Sequence, residues 1–139
     1  MEENEKKGNR GQIERMKKDR FICDLIGIRL EEAGEGFARS SLLLREDHLN
    51  GVGIVQGGVL YSIADFTFAA AANYSEEGVV GVETTISFLK SVKGGTIYAE
   101  AKEIARSRSF SVCRVNVTDE KGNLLAIMNA RGYVLREKS

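Results

Sequence analysis

Between His48 and Asp65 the chain reads HLNGVGIVQGGVLYSIAD, with glycine at 51, 53, 57 and 58 and one carboxylate in the apolar run that follows. Gly57 and Gly58 sit where that run would begin as a helix. Backbone N–H groups there lack intrahelical acceptors, lie at the positive end of the macrodipole, and carry no Cβ to block an approaching group. Such donors suit an electron-rich carbonyl oxygen, although the same two glycines would also permit a tight loop and close helix–sheet packing. Asp65 follows two turns in, with Tyr61 and Ala69 four residues away and Ser62 and Phe68 three. A buried carboxylate without a partner is costly, so Asp65 must either hydrogen-bond within a helical core or face a cavity or subunit boundary. Bare donors beside an ionisable acid are equipment for stabilising charge and moving a proton.

The surrounding polar residues are less specific. Asn50 is a loop amide, a residue type that commonly forms turns. Gln56 can donate a hydrogen bond to a carbonyl oxygen but cannot become a cation or shuttle a proton. His48 is the only histidine; lacking a partner for a metal or triad site, it is expected to brace the loop.

These residues need elements to hold them. Residues 1–12 read as a polar tail leading into a short amphipathic helix, with Ile13, Met16, Phe21 and Leu25 at helical spacings and Gly27 as its stop. Residues 28–45 read as a hairpin turning around Ala33–Gly36, and Glu46–Gly57 as a loop. From Gly58 to Asn73 the chain is too long for a strand and apolar on nearly every face, so the spacing predicts a helix surrounded by protein. Four strands are expected at about 79–89, 96–105, 110–118 and 124–136. Within the third, Cys113, Val115 and Val117 alternate with Arg114, Asn116 and Thr118, which marks one covered face. Six antiparallel strands and one central helix imply an α+β domain in which a curved sheet wraps the helix. The boundaries expected are a tail and helix start over 1–19 and a single domain over 20–139.

Composition excludes some roles. The 139 residues carry 20 Lys plus Arg against 20 Asp plus Glu, so no basic field argues for nucleic acid or an anionic membrane. Cys23 and Cys113 show no metal-binding or disulfide spacing, and no run approaches the ~20 apolar residues that span a bilayer. A reduced, cytoplasmic protein is expected. Neither GxGxxG after a strand nor GxxxxGK[ST] is present, which disfavours a nucleotide-dependent enzyme.

The order of hairpin, HxNxxGxxxGG loop, apolar helix with an internal Asp, and four strands resembles the hotdog-fold acyl-CoA thioesterases of the phenylacetate-degradation (PaaI-like) branch, over about residues 20–136. The matching residues are His48, Asn50, Gly53, Gly57, Gly58, Ala64 and Asp65, with the strand segment at 85–89. The resemblance implies hydrolysis of an acyl- or aryl-CoA thioester, without metal or cofactor. The Gly57 N–H would be the oxyanion donor, Asp65 the general base or nucleophile, and Asn50 an orienting amide. Gly58 would sit beside the substrate, and Gln56 would make an auxiliary carbonyl contact. Thr84 or Thr85 would supply a hydroxyl, and cations such as Lys90 and Arg108, with Lys93 and Arg106 nearby, would meet the CoA phosphates. It also implies a dimer with sites at its boundary, and by family habit a homotetramer.

Two departures stand out: Gln56 replaces the usual His before the glycine pair, and Ser91 stands where relatives often carry proline. The first motivates an alternative, an acyl-CoA-binding module with little turnover. A hotdog transcription regulator is disfavoured because about 20 residues before the fold cannot hold a helix-turn-helix. A hotdog dehydratase is disfavoured because His48 lies before the helix and no other histidine remains. Both threonines also fit plain strand propensity, the basic residues fit solvated loops, and Tyr61, Phe66, Phe68 and Tyr74 either line the acyl pocket between subunits or pack the core, with core packing the better fit for most of them.

Overall fold

The computed structural model describes residues 13–75 and 77–136; the polar tail over 1–12 lies outside them. The helical start at residues 13–16 breaks at Lys17, and Arg20–Ile26 forms a separate, wide π-type segment. Asp19 caps it by accepting from the Ile22 N–H at 3.0 Å. Gly27 ends it at φ +94°, a left-handed conformation that favours glycine. One continuous amphipathic helix is therefore corrected: Ile22 is the buried residue of this segment, while Phe21 and Leu25 lie exposed. The wider turn shifts the inward face by a residue.

Strand β1 (Arg29–Gly34) and strand β2 (Phe37–Leu43) form the expected hairpin, followed by a single 3₁₀ turn at Glu46–His48. Helix α1 spans Gly57–Ala72, and β3 (Val79–Phe88), β4 (Thr96–Arg106), β5 (Phe110–Thr118) and β6 (Leu124–Val134) complete one antiparallel sheet. Its order, β1-β2-β4-β5-β6-β3, leaves β1 and β3 as the edges. The predicted boundaries stand within two residues because β-branched runs, glycine-rich turns and the alanine-rich segment all agree locally.

The sheet folds around α1. Cys113, Val115 and Val117 are fully buried beneath the helix, as their alternation predicts. Opposite them in the core lie Ile63, Ala64, Phe66, Thr67 and Phe68 of α1. Thr67, the one buried polar residue on the helix, is satisfied by the Ile63 carbonyl and the Ser40 hydroxyl. At the C-terminal end of α1, Arg106 donates to the Ala72 carbonyl and pairs with Glu103 at 2.9 Å. Between β3 and β6 the core has room for hydrogen only. A Cβ on Gly132 would stand 2.3 Å from Val79 Cγ1 and 3.2 Å from Phe68 Cζ. Gly132→Ala is therefore expected to destabilise by about 1–3 kcal/mol through overpacking, read as a lower urea midpoint with unchanged slope.

Candidate active site

The HxNxxGxxxGG loop is fastened by its first residue. His48 Nδ1 accepts from the Arg45 N–H at 3.0 Å, which assigns the ring hydrogen to Nε2, 2.7 Å from the Ile26 carbonyl. Arg45 Nη1 donates to the same carbonyl at 2.9 Å, so its 3.0 Å approach to Nε2 is two donors sharing one acceptor. The buried ring ties the 3₁₀ turn to the end of the π-type segment, the bracing role expected of it. Downstream, Asn50 Oδ1 accepts from the N–H groups of Val52 and Ile54, and Gly53 takes φ +83°. Asn50 therefore is a turn former, yet its Nδ2 makes no hydrogen bond among the described residues, and it lines a cavity.

That cavity, of about 360 Å³, opens at the N-terminus of α1 and is lined by Gly57 and Asn50 together with Ile54, Val55, Leu60, Phe88, Leu89, Lys90 and Ser91. Gln56 is the N-cap in extended conformation, its side chain exposed and making no cap hydrogen bond. The Gln56 carbonyl takes the N–H groups of Val59 and Leu60, whereas those of Gly57 and Gly58 have no acceptor among the described residues.

Neither glycine is required by conformation or packing. Neither has a positive φ. A Cβ on Gly57 would meet only the Phe88 ring, at an ordinary 3.5 Å, and one on Gly58 would meet only Gln56 Cγ at 3.9 Å. The physical consequence of glycine here is an unobstructed path to two free donors at a helix N-terminus, where a developing negative charge is stabilised.

Asp65 lies on the one side of α1 that the sheet leaves uncovered. Gly58, Tyr61, Ser62, Asp65 and Ala69, at helical spacing, are the residues of that stripe that escape burial. The Asp65 carboxylate has no hydrogen-bond partner among the described residues, and no buried polar side-chain atom there lacks one, so its oxygens open outward. Burial alone pushes its pKa up from the ordinary Asp value, which makes the ionised form a stronger base.

Strand β3 supplies the neighbouring wall. Its register with β6 puts Thr84 opposite Ala130 and Phe88 opposite Ala126, on the helix side. Thr85 pairs with Asn129 and Glu83 with Arg131, on the outer side of the sheet. Thr84 Oγ1 lies 2.8 Å from the Tyr61 hydroxyl. Of the two candidate hydroxyls the structure thus brings only Thr84 to the helix; Thr85 faces away, because the bulge between Gly81 and Glu83 sets the alternation beyond it. Lys90 joins the cavity, but Arg108 does not: it lies in the β4–β5 turn beside Arg136, at the end of the sheet where α1 terminates. Phe66 and Phe68 are core, as expected, whereas Tyr61 stands exposed on the stripe, one turn before Asp65. The sequence leaves Tyr61 open between lining the pocket and packing the core; its exposure on the stripe favours lining, and its i−4 spacing from Asp65 is the signal in the residues.

The Thioesterase superfamily model matches residues 52–126, more than half of the chain. The chain belongs to the Thioesterase superfamily. A relative from Archaeoglobus fulgidus is 30% identical over 129 residues, covering 89% of this chain and 82% of its own. The acyl-coenzyme A thioesterase PaaI of Escherichia coli is 28% identical, covering 78% of each chain. Among solved structures, the E. coli PaaI protein superposes with TM-score 0.87 at 23% identity over 94% of this chain and 96% of its own. A single-residue mutant of phenylacetic acid degradation protein PaaI from Thermus thermophilus superposes with TM-score 0.79 at 30% identity, over 84% and 100%. The fold is the hotdog fold, and this thioesterase is PaaI-like.

The raised Asp65 pKa has a consequence for stability. A carboxyl group whose folded pKa exceeds its unfolded value binds more protons folded than unfolded between the two values, so its contribution to stability falls as pH rises through that window. Asp65→Asn is accordingly expected to raise Tm at pH 7, with the gain shrinking as pH falls through the raised folded value toward the ordinary Asp value of about 3.9 and essentially gone below it. Thermal melts at pH 7 and pH 3.5 check this.

Proposed function

We propose that this thioesterase hydrolyses acyl-CoA thioesters, with the substrate carbonyl held at the free Gly57 N–H and Asp65 acting on the attacking water or on the carbonyl itself. In the general-base route Asp65 takes one proton from water as its oxygen adds to the thioester carbon. The oxyanion rests on the Gly57 N–H with Gly58 adjacent, and collapse breaks the C–S bond, the proton held by Asp65 passing to the departing thiolate as CoA and the carboxylic acid are released. In the nucleophilic route an Asp65 oxygen attacks the thioester carbon and the C–S bond breaks to release CoA, leaving an acyl anhydride that water cleaves to the free acid and the regenerated carboxylate. Gln56 offers an amide to the carbonyl, the unspent Asn50 Nδ2 orients water or carboxylate, Thr84 offers its hydroxyl, and Lys90 lies toward the CoA phosphates. The reading needs no metal or cofactor, and its setting is cytoplasmic. The observation that carries it is the pair of glycines whose N–H groups are free and whose lack of Cβ nothing else in the fold demands.

The site is best completed by a second copy of the chain. Gly57 and Asp65 stand eight residues apart, about 12 Å along the helix axis, and the Tyr61 side chain lies between them on the same stripe. Bridging that interval within one chain would need side chain, water and carbonyl laid out straight through Tyr61. A two-fold axis at the β3 edge would run two sheets into one and set two α1 helices antiparallel, bringing Gly57 of one copy toward Asp65 of the other. That edge is long and unpaired, and Val80, Val82 and Phe88 are 47–54% exposed along it. Covering what remains exposed of each such side chain contributes about 1 kcal/mol, half or so of a full burial. A dimer follows from this reading.

The test is release of free thiol from short-chain, long-chain and aryl acyl-CoAs. Asp65→Asn should lower turnover at least about a hundredfold. Gly57→Pro deletes the N–H at the first helical position, where proline fits and where Gln56 at ψ 132° already has the backbone proline requires of its predecessor. It should cost about 10²–10³ in kcat with folding retained. Tight acyl-CoA binding without turnover by the wild type would select the binding-module reading that Gln56 motivates.

A further inference from the structure

We infer that Tyr61 is a positioning residue for the hydrolytic step: its phenol holds the Thr84 hydroxyl so that Thr84 and Asp65 grip the same attacking water. The inference rests on the thioesterase reading of the preceding subsection and adds to it a residue that neither the motif nor the family resemblance singles out.

Three observations carry it. The Tyr61 hydroxyl and Thr84 Oγ1 are 2.8 Å apart, the hydrogen bond joining the helix side chains to β3 along the stripe. Tyr61 is 38% exposed although α1 is otherwise an apolar core helix, so its ring is not there to fill the interior. Tyr61 and Asp65 lie four residues apart, which stacks them on one face of α1, and Thr84 faces that helix from the edge strand. The bulge between Gly81 and Glu83 begins two residues before Thr84 and sets which side of β3 its hydroxyl occupies.

The hydrogen-bond inventory then assigns the roles. A nucleophilic water has two protons to place while a lone pair attacks the carbonyl carbon. Asp65 accepts one. Whichever of Tyr61 and Thr84 donates in their own bond, Thr84 Oγ1 keeps a lone pair for the other. Left alone, a threonine hydroxyl on an exposed edge strand turns among rotamers; bonded to a phenol whose ring is anchored on the helix, it is fixed. Fixing a water within a few tenths of an ångström of its attacking position is worth as much as roughly a hundredfold in rate.

The experiment measures thiol release by the wild type, Tyr61→Phe, Thr84→Val, Thr84→Ser and the double variant Tyr61→Phe/Thr84→Val, with thermal melts on each. Tyr61→Phe keeps the ring and removes only the hydroxyl. It should lose roughly ten- to a hundredfold in kcat, with KM within about twofold of wild type and Tm nearly unchanged. The double variant should be no slower than Thr84→Val alone, because the phenol acts through the threonine. Thr84→Ser, which keeps the hydroxyl, should recover most of the kcat lost in Thr84→Val. Wild-type kcat in Tyr61→Phe, a loss confined to KM, or losses that multiply in the double variant would each overturn the inference while leaving the thioesterase reading in place. No turnover by the wild type on any acyl-CoA would overturn that reading and this inference with it.

Discussion

Helix α1 is apolar around almost its whole circumference, and one curved sheet cannot cover it on every side. The rest of the structure follows from that mismatch. The sheet takes the larger arc, burying Ile63, Ala64, Phe66, Thr67 and Phe68, and leaves a stripe from Gly58 through Asp65 to Ala69 open beside the free edge of β3. An ionisable acid in a helical core would be a liability; on the open stripe it meets solvent or a second copy, at the expense of partial desolvation that raises its pKa. The same uncovered side leaves the donors at the helix start within reach of a ligand. On the proposed mechanism stability and chemistry compete for one surface, and glycine at 57 and carboxylate at 65 both serve the chemistry.

The loop before the helix shows how a rigid frame holds a bare site. His48 and Arg45 converge on the Ile26 carbonyl, Asn50 closes the turn with its own oxygen, and Val55 is tied to the Val92 carbonyl. These bonds tie the loop to the end of the π-type segment and to the chain beyond β3, and none uses the N–H of Gly57. The donor is therefore positioned by neighbours whose own hydrogen-bonding needs are already met, which is the condition for stabilising charge without reorganisation.

Much of this was legible in the residues. Strand alternation, the alanine-rich run and the glycine turns fixed six strands and one helix because local preference and burial point the same way in each. The placement of Gly57 at the helix start and of Asp65 two turns in was legible because a glycine pair leads directly into an alanine-rich apolar run. What the residues could not reveal depends on which elements neighbour one another. The side of β3 on which Thr84 lies is set by a bulge that leaves no composition signal. Arg108 looks like any loop cation until the sheet order carries it to the far end, and Phe21 and Leu25 match helical spacing until a π-type turn rotates them outward. Tyr61 stays open between lining and packing in the sequence because an aromatic in an apolar helix fits either, and the sheet's incomplete coverage decides for the open stripe.

The central claim is that a complete site takes its N–H donors from one copy and its carboxylate from another. Complementation tests it most directly. Gly57→Pro and Asp65→Asn chains carrying different tags are co-expressed, the mixed dimers are purified through both tags, and thiol release is compared with each variant alone. The account predicts that mixed dimers regain about half of wild-type turnover, because one of their two shared sites combines an intact Gly57 with an intact Asp65. Mixed dimers no more active than the single variants would contradict it and return the whole site to one chain.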